Sequence, residues 1–437
     1  MESQEWDHLR DHDKLVPFVP PLLQYVLLRF VIRSSSLTGI ILLVSVAHAT
    51  VHLLEQSIAS AELAVSADFD LTVAQSGWLG FALRLPYGIG AILAGLLADR
   101  FGEKRILVIY LLGAAAACFG FSAATHVGMV YILLVGLGTS ASMYHPAGLS
   151  MLANATTPAT RPRALGIHGI FGSLGIAFSP FLAGLVLRIG DGGWRDYYLL
   201  LGAASAVLGV VLLYRLKPTQ RPVVKSTPSD PVDHPHRFQI IPYLLLVFSG
   251  AVGGLIYGGV LHFLPRYLSE SGALQMLSES SAASAGNFAA AVALVFGAVG
   301  QWTAGRLAVA RMLPLQLAVV FFSNAPALIW MARAEGGSRL AAAGVWAFFH
   351  FMSQPLYNAL LAEFMSVGRR SFAYGFSNLM GFGIGAIGPI FVAAYADAPL
   401  GYTESYQALA AIAVIAGTIP LTLLSSRIAV REQERPM

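Results

Sequence analysis

Charge is what this chain has least of. Only 11% of its 437 residues are Asp, Glu, Lys or Arg, against roughly 25% in soluble domains. That is too few to cover a surface facing water. With 56% hydrophobic residues and a mean hydropathy of +0.67, the bilayer must be most of the solvent. Cysteine is almost missing. Cys118 stands alone in the apolar run Ala114–Phe121, which excludes an internal disulfide and any cysteine-based zinc site. There is no glycine-rich phosphate loop with its Lys, so ATP drive is unsupported, and neither an enzyme nor a cofactor is expected. The sequence pI of about 9.1 does not imply nucleic acid, because the basic residues are scattered through short loops between apolar segments. Met1–Lys14 is polar and no small-residue cleavage site follows a short apolar core, so no signal peptide is expected.

What is present is a series of apolar stretches, each near the roughly 20 residues that cross a hydrocarbon core. The expected crossings are 37–60, 76–98, 105–123, 127–151, 164–188, 196–216, 240–265, 285–307, 312–332, 340–361, 372–395 and 405–427. Of the 27 Lys and Arg residues, Arg188, Arg195, Arg266, Arg333 and Arg339 fall in the odd-numbered loops and Arg84 falls inside a helix. All the others lie on the termini and the even-numbered loops. By the positive-inside rule both termini are cytoplasmic, which needs an even number of crossings. The expected organisation is a tail (1–35), a six-helix bundle (36–216), a Pro- and charge-rich linker (217–239), a second six-helix bundle (240–427) and a short tail (428–437). Leu22–Ile32 reads as an interfacial helix rather than a thirteenth crossing, because Pro17, Pro20 and Pro21 leave too short an apolar run.

The two halves repeat. Met143, Pro146, Arg161, Gly166, Gly172 and Pro180 meet Met352, Pro355, Arg370, Gly375, Gly381 and Pro389 at one constant separation. Two repeated bundles that rock about a midplane site give alternating access, a transporter signature.

The loop after the second crossing reads Gly95-Leu-Leu-Ala-Asp99-Arg100-Phe-Gly102-Glu-Lys104-Arg105. Gly95 is expected to let helices approach closely, and Asp99 with the cationic cluster to pair and cap helix ends at the membrane edge. Here the chain resembles the major facilitator superfamily, whose motif between helices 2 and 3 has this pattern. The copy in the second half, Gly305-Arg306 with Arg311, is degenerate. The resemblance covers 37–427 and implies twelve helices in two pseudo-symmetric six-helix bundles, an all-α membrane fold. It also implies a conformational latch at Gly95, Asp99, Arg100, Gly102 and Arg105. Helices 4 and 5 read Gly136-Leu-Gly138-Thr-Ser-Ala-Ser-Met-Tyr144-His145-Pro146 and Arg163-Ala-Leu-Gly166-Ile-His168-Gly-Ile-Phe-Gly172-Ser-Leu-Gly175-Ile-Ala-Phe-Ser179-Pro180. They resemble the fosmidomycin-resistance type of facilitator, with Tyr144 where that type has Phe and Ser179 where it has Gly. That resemblance implies proton-coupled drug export.

Charged groups inside a bilayer cost roughly 2.5–3.5 kcal/mol each on insertion scales, so each needs a reason. Glu55 and Arg84 stand at similar depth in crossings 1 and 2. They read either as an ion pair that holds two helices together or as a coupling site. In the second reading Glu55 carries a proton and Arg84 tunes it or binds an anionic substrate. His48, His52 and Glu55 share one helical face at i, i+4 and i+7. They form a polar cavity stripe or, alternatively, a divalent-metal site; no resident metal is expected. The His52–Glu55 pair also resembles the fosmidomycin-resistance type. Further histidines, His145, His168, His262 and His350, are relay candidates. His145 and Gln354 are repeat equivalents, each just before a proline, and are expected to line the cavity or bend helices 4 and 10. By the resemblance, helices 1, 4, 7 and 10 line the cavity. The expected coupling residues are Glu55, Arg84 and His52, and the expected cavity residues His48, His145, Tyr257, His262, Gln354 and Tyr357. Asn378 is read as packing.

The leading expectation is a monomeric plasma-membrane antiporter, a proton-coupled secondary transporter exporting a small organic compound. The alternatives are proton-symport uptake of a small organic anion through Arg84 and divalent-metal transport through His48, His52 and Glu55.

Overall fold

The computed structural model describes residues 37–157, 160–189, 193–217, 239–272, 281–364, 370–395 and 401–433. The expected N-terminal tail, the interfacial segment Leu22–Ile32 and nearly all of the linker lie outside them. The described residues are helical and form twelve crossings. In the first half they are α1 (Leu37–Glu55 continuing as Ser57–Asp68), α2 (Val73–Phe101), α3 (Glu103–Ser122), α4 (Val127–Ala141 continuing as Tyr144–Ala155), α5 (Arg161–Ile189) and α6 (Trp194–Arg215). In the second they are α7 (Ile240–Ser269), α8 (Ala282–Leu307), α9 (Leu313–Arg333), α10 (Ser338–Glu363), α11 (Arg370–Gly385 continuing as Ile387–Ala393) and α12 (Tyr402–Gln433).

Eleven of these crossings are long and apolar enough to be recognised by length and hydropathy alone; α10 is not among them. Its run His350, Ser353, Gln354, Tyr357 and Asn358 explains the shortfall. The expected boundaries hold to within a few residues except at three ends. α1 runs to Asp68, so Glu62 lies inside a helix and not in a loop. α7 runs to Ser269, so Arg266 is a helical residue in its last turn. α12 continues to Gln433, past the expected end at 427.

Interruptions follow backbone chemistry. A proline lacks the N–H for its i−4 carbonyl and its ring crowds that carbonyl. The i−4 residue of Pro146 is Ser142, where α4 breaks; that of Pro389 is Gly385, where α11 breaks. The expected bend at the equivalent Pro355 leaves α10 unbroken. The turn from α2 to α3 passes through Gly102 at φ 87, a conformation open to glycine, and its N–H caps α2 at the Ala98 carbonyl, 2.9 Å away.

The first half has an apolar core centred on residues such as Leu54, Tyr110 and Leu134; the second has two, one around Phe263 and Trp346 that also takes in Ile176 and Ala177 of α5, and one around Leu360. The halves meet where α2 packs on α11 and α5 on α8. Near one end they are fastened. Arg266 of α7 grips both carboxylate oxygens of Glu62 in α1, and Ser76 of α2 also donates to that carboxylate. His262 lies 2.9 Å from the Ser76 carbonyl oxygen, Asn287 donates to the Ser60 carbonyl, and Ser284 donates to that of Gly184. A Cβ on Gly77 would stand 2.7 Å from that of Ala393, so backbone nearly touches backbone here. At mid-depth Ser173 of α5 donates to Gln301 of α8. Toward the other end, which carries Asp99–Arg105, the walls part. Gly166 and Gly169 of α5, Gly305 of α8 and Gly375 of α11 face open space.

Candidate functional site

α1 carries its polar stripe into the interior of the first half. Glu55 is 1% exposed and Arg84 is 3% exposed. Their ion pair, Arg84 Nη1 to Glu55 Oε1, spans 2.9 Å, and the second carboxylate oxygen lies 2.8 Å from His52 Nδ1. His52 Nε2 in turn faces His48 Nε2 at 3.2 Å, and His48 Nδ1 lies 2.7 Å from the carbonyl oxygen of His168. The i, i+4, i+7 spacing read in the sequence thus forms one chain of contacts, Arg84–Glu55–His52–His48–His168. Its packing depends on neighbours. His168 stacks on His48 at 3.8 Å between centroids, and Tyr144 lies parallel beyond, donating to the Val44 carbonyl at 2.6 Å. A Cβ on Gly172 would overlap the His48 ring, so α5 needs glycine there.

The donors along this chain follow from what each partner can do. A carbonyl oxygen only accepts, so His48 Nδ1 carries the proton it shares with His168. A carboxylate held by Arg84 also accepts, so His52 Nδ1 carries a proton as well. Two neutral imidazoles would then present lone pairs to each other across 3.2 Å. The contact is a hydrogen bond when one of the rings holds an additional proton.

His145 comes to this cluster and not to the cavity. It stands edge-on to His48 at 5.3 Å, and its ring nitrogens, with those of His48 and His52, supply atoms within 4.8 Å of one another. The expected trio His48, His52 and Glu55 stays connected through His52, with Glu55 also paired to Arg84, and His145 from α4 joins the two histidines.

Tyr257 of α7 connects the stripe to the second half. Its hydroxyl accepts from Gln56 at 3.2 Å, and the Arg84 guanidinium lies over its ring at 5.1 Å. Behind it is a cavity of 170 Å³ between the halves, lined mostly by α7, α10 and α11, with His52 and Ile176 from the first half. Tyr257, Gln354 and Tyr357 line it. His350, Asn358 and Asn378 line it too, so the packing role expected for Asn378 is corrected: its side chain is an amide on the cavity wall. His262 is not in the wall. It is 1% exposed and fastens the closed end through Ser76.

The motif residues lie at the open end. Gly102 makes the turn. Arg100 lies over Phe101, and Asp99, Arg100 and Arg105 are exposed. Gly95 faces Pro146 at an ordinary 3.8 Å from where a Cβ would stand, so its expected close approach is not required here.

Three contributors were missed from the sequence: Glu62, because the first crossing was ended at residue 60; Arg266, because it was counted in a loop; and Gln301, whose amide bridges Ser173 and Gln354. A first crossing continued past Ser60 would have found the first.

The Major Facilitator Superfamily matches residues 44–389, well over half of the chain. The chain belongs to the Major Facilitator Superfamily. This facilitator is 32% identical over 149 residues to the "Probable sulfoacetate transporter" of Cupriavidus necator, covering 34% of this chain and 33% of that one. It is 30% identical over 165 residues to the puromycin resistance protein of Streptomyces alboniger (38% and 33% covered) and 30% identical over 251 residues to the enterobactin exporter of Salmonella choleraesuis (53% and 56%). The facilitator thus spans a third to just over half of the length of these curated relatives. In fold it is similar to a bacterial homolog of the human lysosomal transporter Spinster, in an inward-facing and unoccupied conformation, with a TM-score of 0.71 at 17% identity, covering 89% of this chain and 97% of that one. The inward-open xylose transporter from E. coli gives 0.67 at 17% identity, with 88% and 96% covered. This facilitator is an integral membrane protein of a family that carries small molecules across the bilayer.

Proposed function

We propose that this facilitator is a proton-coupled exporter of a small organic compound. The observation that carries the coupling is the 3.2 Å contact between His52 and His48, whose other nitrogens are committed to Glu55 and to the His168 carbonyl. On this reading the pair takes up and releases one additional proton. Glu55 offsets its charge, and Arg84 holds Glu55 in place. The groups facing this proton are Glu55 on its own helix, Arg84 and Tyr87 from α2, His145 and Tyr144 from α4, His168 from α5 and Tyr257 from α7.

Coupling requires that the proton site register the position of the other half. Tyr257 supplies that link, since rocking of the second half moves its ring off Arg84 and its hydroxyl away from Gln56. His52 reaches the cavity wall, so substrate entering there meets the residue that releases the proton.

The Lys/Arg bias makes the Asp99–Arg105 end cytoplasmic, with both termini on that side. The cavity then opens inward, the state in which an exporter loads, and the inward-facing neighbours support this. Export is also supported by the resistance protein and exporter among the relatives. On this reading the Asp99–Arg105 motif acts as a latch when the halves close over it. Uptake of an organic anion is less well supported, because Arg84 is already paired with Glu55 and covered by Tyr257.

The test uses purified protein in proteoliposomes with an imposed pH gradient. Glu55→Gln is expected to abolish gradient-driven accumulation of substrate while exchange of substrate for substrate persists. Undiminished uphill transport in that variant would remove Glu55 from coupling.

A further inference from the structure

We propose that the substrate is an uncharged aromatic molecule bearing an amide-like hydrogen-bonding group, and that Asn358, Asn378 and His350 recognise that group. This rests on the reading of the central cavity as the transport site and gives that site a ligand class.

Among the described residues, the cavity wall contains no Asp, Glu, Lys or Arg. Arg84, which lies over the ring of the lining Tyr257, is 3% exposed and paired with Glu55. His52 reaches the wall, but both of its ring nitrogens are engaged. Once the His48–His52 pair has released its proton, a carboxylate or phosphonate would therefore enter without a counter-charge, and an ammonium would meet none either. Burying an unpaired ion is far more costly than burying a hydrogen-bonded neutral group.

The neutral groups that remain are specific. The side-chain amides of Asn358 and Asn378 have no hydrogen-bond partner among the described residues, so each offers both a donor and an acceptor. For His350 the roles are fixed by Asn324. The Asn324 Nδ2 donates to the Val320 carbonyl at 2.8 Å, so its Oδ1 faces His350 Nδ1 at 3.0 Å as an acceptor. His350 Nδ1 carries the proton, and Nε2 is left as an acceptor. A group that both donates N–H and presents a carbonyl satisfies this set; a carboxylate cannot donate to His350. The remaining wall is largely aromatic, with Tyr257, Phe321, Phe351, Tyr357 and Phe382. Its 170 Å³ is small beside the roughly 300–1,000 Å³ of pockets for drug-sized ligands, and suits one or two rings.

Three probes that share a ring system isolate charge: 2-naphthamide, 2-naphthoate and 2-naphthamidine. Their binding to the purified protein in detergent is measured by isothermal titration calorimetry, for wild type, Asn378→Leu and Asn358→Leu. Asn358 is exposed on the cavity side of α10, so its variant folds even if the other does not. The amide is expected to bind at least about tenfold more tightly than either ion, and to lose that preference in each variant. Equal or tighter binding of an ion, the same affinities in the variants, or no binding by any probe would overturn the assignment. Counterflow in proteoliposomes separates the two readings. An amide that binds with the expected preference but is not moved defeats the transport reading alone, whereas a naphthoate that is moved defeats the substrate class alone.

Discussion

Gly172 sets where His48 can lie. Its missing side chain is the space occupied by the imidazole, and neighbouring Gly175 lets α5 approach the Ala49 carbonyl of α1. Overfilling a packed interior costs roughly 1–3 kcal/mol and moves the softer partner. The softer partner here is a histidine ring held by one carbonyl. Gly172→Ala is therefore expected to leave a folded protein, detectable as a single peak on size exclusion, in which pH-driven transport falls at least about tenfold. The Glu55–Arg84 pair gives a second prediction. Removing one member of a buried pair costs about 3–5 kcal/mol, because the other is left charged and unpaired, whereas replacing both by apolar groups is often neutral. Arg84→Met alone should lower the melting temperature strongly, and Arg84→Met with Glu55→Leu should recover most of it. Equal losses in the single and double variants would show that the pair does not hold α1 to α2. Both residues were legible in the sequence because charge within an apolar run stands out against its surroundings. Asn378 was not, because an amide on a helix has the same sequence signature whether it meets another helix or a cavity. His145 was misplaced for a different reason: the break four residues ahead of Pro146 re-aims the chain in a way that no helical periodicity predicts.

At the scale of elements, the crossings were legible nearly to the residue where hydropathy falls abruptly, as between α3 and α4. They were least legible where a helix outlasts its apolar run. α1 continues through Glu62 to Asp68 because Arg266, Ser66 and Ser76 supply the carboxylate with donors inside the protein, so hydropathy ends before the helix does. That extension fastens α1 to α7. Glu62→Gln weakens the fastening and should shift the population toward opening at this end. Cys118 is 0% exposed, so the natural chain offers little background to a thiol reagent. A cysteine placed at Val392, which is 3% exposed at the closed end, serves as reporter. Val392→Cys should label several-fold faster when combined with Glu62→Gln than alone, and unchanged labelling would mean that the ion pair does not govern opening.

For the whole molecule, the repeat seen in the sequence is the fold's main organising fact, and each half has six crossings. What the sequence did not contain is the state of the molecule, since one set of helices is compatible with either end being open. If the halves move as rigid bodies, tying them at the closed end must stop turnover. A Cβ on Gly184 in α5 would lie 3.3 Å from that of Asn287 in α8, close to the roughly 3.5–4.5 Å of a disulfide. The double substitution Gly184→Cys with Asn287→Cys should abolish transport when oxidised and restore it on addition of dithiothreitol. Transport that survives quantitative cross-linking would exclude rocking at this interface.

α10 has a further consequence, for biosynthesis. It is the crossing that carries His350, Gln354 and Asn358 of the cavity, and its polar run makes it a poor candidate to leave the translocon for lipid by itself, since partitioning there follows side-chain hydropathy. α8 and α9, which pack on either side of it, precede it in the chain and are already in the bilayer when it emerges. The same side chains that equip the cavity thus make the entry of α10 into the membrane depend on its neighbours, so the second half has to be inserted as a group rather than one crossing at a time.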